Sequence, residues 1–182
     1  MAKNTDIPPV FRKLSGYNFA YFGAFALFTI IFDSGNVLTR EAIYQRWMMA
    51  AVLLVVFTFF WIASRKASSY RQIFRVLLLC AAAELALAGF MTYWERGMAS
   101  TSTILYIIPI LTMAFARSRT YTVATALIAS AIYTAAATKY FYDFFNEGYR
   151  VQLYGEIFFY CAVFIICGGI LASLLHTATP KK

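Results

Sequence analysis

Long apolar runs, broken by short clusters of charged and small polar residues, organise this chain from Ser15 onward. Six of them have or approach the ~20 residues a helix needs to cross a hydrocarbon layer of ~30 Å. They fall at about residues 15–32, 44–63, 73–93, 99–116, 121–140 and 153–175. The fourth carries Pro109 and begins with Ser100, Thr101, Ser102 and Thr103, a pattern that also suits a short buried helix with a re-entrant segment. Twenty uncharged residues lie between Arg96 and Arg117, which favours a full span kinked at the proline. The pattern predicts an all-α fold: one integral membrane bundle of six transmembrane helices filling the whole chain.

Composition agrees. Hydrophobic residues make up 62% of the 182 and charged residues 13%, with a mean hydropathy of +0.66. Ordinary soluble domains run near ~45–50% and ~25%, so a soluble fold of this size could not hide the apolar surface. The net charge of +8 would suggest nucleic acid in a soluble chain. Here the basic residues sit beside apolar spans, where they act as topology signals and contacts for anionic lipid. The lipid bilayer is the expected partner; nucleic acid is not.

With the N-terminus placed in the cytoplasm, the inner side collects Lys3, Arg12, Lys13, Arg65, Lys66, Arg71, Arg75, Arg117, Arg119, Lys181 and Lys182. The outer side receives fewer: Arg40, Arg46, Arg96, Lys139 and Arg150. Retention of positive charge inside then predicts a multi-pass membrane protein with both termini cytoplasmic. Aromatic residues at the span ends form two interfacial belts. The loop from Tyr140 to Tyr149 belongs to the outer belt, or forms a hydrophobic recognition lip on that face.

Glu84 stands out, a lone carboxylate near the middle of the third span. Ionised there it costs at least ~2.5–3.5 kcal/mol on insertion scales, so such a residue is by default a functional candidate. Desolvation at that depth favours the neutral carboxyl. Residue counting brings Pro109, Ser130 and Tyr133 to similar depth, with Tyr106 one turn away. Pro109 cannot donate to the carbonyl of Leu105, which leaves that acceptor, alongside Ser130 and Tyr133, as a partner for a protonated Glu84. The candidate ligand or signal site is therefore Glu84, Pro109, Ser130, Tyr133 and Tyr106; the bland alternative is a buried polar latch. Small residues, Ala126, Ser130, Thr134 and Ala137 on the fifth span and the pairs Gly168/Ala172 and Gly169/Ser173 on the sixth, suit close helix contacts within the bundle or between copies.

Enzymatic constellations are largely missing. There is no second carboxylate at mid-membrane depth, no histidine within the spans and no glycine-rich phosphate loop, so no catalytic residue and no metal ligand is assigned, and an enzyme is the less favoured reading. Cys80, Cys161 and Cys167 lie inside spans and suit small core residues. His176, before Thr177-Ala178-Thr179-Pro180, lacks the acidic neighbour of a kinase phosphoacceptor box.

The stretch from Glu84 through Tyr93, Arg96-Gly97-Met98-Ala99-Ser100 and Ile104-Leu105-Tyr106-Ile107-Ile108-Pro109-Ile110 resembles the six-span sensor domains of bacterial histidine kinases, of the redox-responding and pilus-regulating kinds. Those domains are similar in an acidic third span, a Gly-Gly-x-x-Ser or Gly-Gly-x-x-Asn-Pro-Phe turn and a Leu-Tyr-x-x-Pro-Ile core. The likeness covers about residues 80–140. It implies a sensory module of a two-component-like system, a homodimer, and output to a cytoplasmic signalling partner or to a fused kinase core missing from this chain. Ser100-Thr101-Ser102 stands where the quinone-associated version has Asn-Pro-Phe, and Arg96 replaces the first glycine, which argues against quinone; no cofactor is expected. The alternative function is a small six-helix substrate-binding subunit of a membrane transporter, which the aromatic lip and central carboxylate would also suit.

Overall fold

A computed structural model describes residues 7–35, 38–66, 69–95, 97, 100–145 and 151–177. Of the charges used above for topology, Lys3, Arg96, Arg150, Lys181 and Lys182 lie outside the described residues, as does the stretch 146–149 of the proposed aromatic lip. The described chain is helical throughout: α1 Ile7–Ser34, α2 Arg40–Lys66, α3 Tyr70–Trp94, a 3₁₀ turn Thr101–Tyr106 leading into α4 Ile107–Ala114, α5 Arg119–Phe145 and α6 Val151–Thr177. In lipid every backbone N–H and C=O must be satisfied within its own segment, so long apolar runs resolve into helices. Their ends carry local signals. Thr39 caps α2, its Oγ1 accepting from the N–H of Ala42 at 3.3 Å, with Glu41 in the first turn. Ser69 and Gln72 form a reciprocal cap on α3: the N–H of Gln72 donates to Ser69 O and Gln72 Oε1 accepts from the N–H of Ser69.

Five helices, all but α4, are long and apolar enough to cross a membrane. Their outer faces are apolar as well: Val55, Leu79, Phe59, Phe158 and Ile166 are each about two-thirds exposed. Surface of that kind is expected of a chain that meets lipid rather than water. The chain is a multi-pass membrane protein. The fourth apolar run, expected as one full span kinked at Pro109, forms the 3₁₀ turn and an eight-residue helix. Two local causes act together. Hydroxyls at the start bond to neighbouring groups instead of propagating a helix: Ser100 Oγ accepts from the N–H of Ser102 at 3.0 Å, and Thr103 Oγ1 donates to Ser100 O at 2.9 Å. Pro109 then brings no N–H for Leu105 O, and N–H groups at the end of the 3₁₀ turn take the carbonyls of Ile104 and Leu105 instead.

The helices sort into two units, residues 1–80 and 81–182. In the first, α1 and α2 run antiparallel, with Tyr21 edge-on to Phe57 at 6.0 Å. The Arg46 guanidinium lies 5.5 Å and 4.9 Å from the ring centres of Phe28 and Phe32. Arg46, expected among the outer charges, is instead buried inside α2. Asn18 donates to Cys80 Sγ at 3.7 Å, tying α1 to the start of α3.

In the second unit the last half of α3 runs parallel to α5. A Cβ on Gly89 would meet Ile132, and Tyr93 Oη donates to Asp143 Oδ2 at 2.8 Å. Between them the short segment runs the opposite way, with Gly97 against Tyr140, Tyr106 against Tyr133, and Thr112 against Glu84. Gly97 turns the chain into it in the left-handed region (φ 63°), and Arg117 (φ 53°) turns it out. A 3₁₀ turn rises ~2.0 Å per residue and an α-helix ~1.5 Å, so residues 101–114 reach about 24 Å. This short element therefore brings the chain back across the unit. The proposed aromatic loop is helical up to Phe145, so Tyr140, Tyr142 and Phe144 are the last turns of α5.

Candidate functional site

Glu84 lies in the second unit and is 4% exposed. On the same face of α3 follow Ala88, Thr92 and Glu95, at helical spacings of four, four and three. Thr112 of α4 donates from Oγ1 to Glu84 Oε2 at 2.9 Å. Thr112 is fully buried and sits three residues after Pro109, so the short helix made necessary by the proline carries the donor that holds the carboxyl. A buried oxygen acceptor without such a donor would lose roughly 1–3 kcal/mol.

The other expected partners lie elsewhere. Leu105 O is occupied by the backbone. Ser130 Oγ donates to Ala126 O at 2.9 Å, with Cys161 O 3.5 Å away on α6. Tyr133 Oη has no hydrogen bond among the described residues. The five candidate residues therefore share one core without forming one contact site. Tyr106 and Tyr133 do meet, rings edge to face at 5.6 Å, and both pack on Phe164 of α6 at 5.3 and 5.8 Å. Pro109 is buried on the same helix as Thr112.

A second carboxylate group closes the far end of α3. Glu95 Oε2 accepts from Ser100 Oγ at 3.0 Å and from Ser102 Oγ, so the Ser-Thr-Ser-Thr run is stitched to the last turn before it. Nearby, Lys139 and Tyr93 both donate to Asp143 at 2.8 Å, joining the C-terminal ends of α3 and α5. At the opposite end Arg119 Nε donates to Ala172 O at 3.2 Å, joining the start of α5 to the end of α6.

Thr112 is the hydrogen-bond partner of Glu84 that residue counting missed. Its signal was present: it is the one hydroxyl residue between Tyr106 and Arg117. What the arrangement can do chemically is limited and specific. A carboxyl in an apolar interior that accepts from a side chain on a broken helix can change protonation or partner and so shift that helix.

Compared with known proteins, the chain matches no family model, no curated protein and no solved structure.

Proposed function

We propose that this protein is a membrane-embedded sensing or regulatory module, in which the Glu84–Thr112 pair is the element that responds. The observation that carries this reading is the buried hydrogen bond from Thr112 to Glu84 across two helices of the second unit. α4 packs on both α5 and α6, so a change at Glu84 that moves α4 has a direct mechanical route to α6. The sixth helix then passes the change to a cytoplasmic signalling partner, or to a fused kinase core, as the likeness to bacterial sensor domains implies. The working form is a homodimer in a bacterial inner membrane. Its contact face is the open side of α6, where a Cβ on Gly169 would meet nothing and Ser173 is exposed.

Grafting a dimeric kinase core after Leu175 tests this. Autophosphorylation in membranes should respond to Thr112→Val and Glu84→Gln, each shifting the basal level several-fold in the same direction. Unchanged kinase activity in both variants would reduce the pair to a packing latch. A monomeric protein that binds a nutrient and joins an ATPase complex would favour the transporter alternative.

In this reading the chain crosses the membrane six times, the 3₁₀ turn and α4 making the fourth crossing, with both termini cytoplasmic. Single cysteines at the exposed positions Thr39, Ser69 and Arg117 report on it. In whole cells an impermeant thiol reagent should label Thr39→Cys above the wild-type background, and leave Ser69→Cys and Arg117→Cys unlabelled. Labelling of Arg117→Cys together with Thr39→Cys would mean that the short segment does not cross.

A further inference from the structure

Three hydroxyls in the second unit are fully buried and have no hydrogen-bond partner among the described residues: Thr92 Oγ1, Tyr106 Oη and Tyr133 Oη. Each such group costs free energy in an apolar interior unless something bonds to it. Thr92 is the informative one. A threonine within a helix readily donates to the carbonyl four residues back, and Thr29, Thr122 and Thr134 of this chain all do. Thr92, with the same option, does not take it. Its hydroxyl instead faces Tyr106, and Tyr133 faces Thr103, each pair short of hydrogen-bonding geometry.

The rings decide what can sit there. Tyr106, Tyr133 and Phe164 pack against one another with centres 5.3 to 5.8 Å apart, which leaves no slot for an organic molecule between them. What the rings leave unpartnered are the hydroxyl tips. A buried water needs two to four polar partners, and the tips supply both donors and acceptors. The hydrogen-bonded Glu95–Ser100–Ser102 cluster at the end of α3 lies one helical turn from Thr92.

We propose that Thr92, Tyr106 and Tyr133 enclose an internal hydration site, in which ordered water bridges the hydroxyls and exchanges through the Glu95 end of the unit. The site is independent of the sensing role proposed above. It places water in the core of a membrane-embedded unit, one layer removed from the Glu84–Thr112 pair.

The test uses the full chain in lipid vesicles with ring-labelled tyrosine. Water-edited solid-state NMR should transfer magnetisation from water to the Cζ atoms of Tyr106 and Tyr133 on the timescale seen for exposed Tyr142, despite their burial. Peaks are assigned by their loss in Tyr106→Phe and Tyr133→Phe. Both variants keep the ring and its packing, so folding survives. Their thermal midpoints should fall below wild type, and adding Thr92→Val should lower them by less than the sum of the separate changes, because the three share water. Absence of transfer at either ring overturns the site. So does a raised midpoint in either phenylalanine variant, the result expected when a dry orphan hydroxyl is removed.

Discussion

Glu84→Lys should abolish accumulation of the folded protein in membranes, while Glu84→Gln should accumulate to nearly wild-type levels. The residue is 4% exposed, and its neighbours on the helix, Ala81, Leu85 and Ala88, are buried too. A lysine here places an ammonium near the centre of α3, where insertion scales assign ~2.5–3.5 kcal/mol to the charge. It also removes the acceptor of Thr112 and offers three donors to a core that has few free oxygens. Glutamine keeps a carbonyl oxygen in the same place, so Thr112 still donates. Glu84→Leu separates the remaining possibilities. Thr112 can turn its hydroxyl back to the carbonyl of Ile108, as helical threonines do, so the leucine variant should lie within about 1 kcal/mol of wild type or above it. Membrane-fraction immunoblots and thermal unfolding in detergent measure all three. A lysine variant that folds normally would place Glu84 against lipid headgroups or water and refute its interior position. A glutamine variant that fails to fold would make the carboxyl itself structural.

The sequence showed most of the helices and little of the site, for physical reasons that differ by element. α1, α2, α3, α5 and α6 were legible because lipid leaves an apolar stretch no other way to satisfy its backbone. The fourth run was ambiguous for a stated cause, since both Pro109 and the Ser-Thr-Ser-Thr start break helices while the twenty uncharged residues favour a span. The structure gives a short helix with a 3₁₀ entry that still returns the chain across its unit. Residue counting put Pro109 level with Glu84, whereas Thr112, three residues further along the segment, is the residue that bonds to it. Thr112 itself drew no notice because a membrane threonine satisfies itself so easily. Arg46 was counted with the outer charges, and the two phenylalanines of the neighbouring helix that give it an aromatic cradle could not be read from spacing alone. The stripe Ala126, Ser130, Thr134 and Ala137 was recognised as a contact face, and the structure spends it within the unit, against α6.

That α5–α6 contact carries the second large effect. Gly168→Leu should unfold or separate the second unit, and even Gly168→Ala should cost about 1–3 kcal/mol as overpacking. A Cβ at Gly168 would lie 2.6 Å from the Cβ of Ala126, 3.6 Å from Thr122 O and 3.8 Å from Ile110 Cγ2. The nearest of these atoms cannot swing away, because an alanine Cβ moves only with its backbone. Between helices in lipid there is no hydrophobic drive to hold a strained contact shut, and close backbone approach is itself the source of association. The neighbouring residue is the control: a Cβ on Gly169 meets nothing within 4 Å. Within one copy Gly169→Ala should therefore be neutral, or gain up to about 1 kcal/mol from helix propensity, any loss falling on the pairing of two copies. The clash also names its own remedy. Ala126→Gly removes the atom in the way, so Ala126→Gly combined with Gly168→Ala should recover most of the stability that Gly168→Ala loses. Thermal unfolding in a mild detergent, followed by circular dichroism, reads all four proteins. Equal midpoints for Gly168→Ala and Gly169→Ala would show that the close approach of α5 and α6 at Ala126 is wrong. Loss in Gly168→Ala without rescue by Ala126→Gly would move the clash to Thr122 or Ile110.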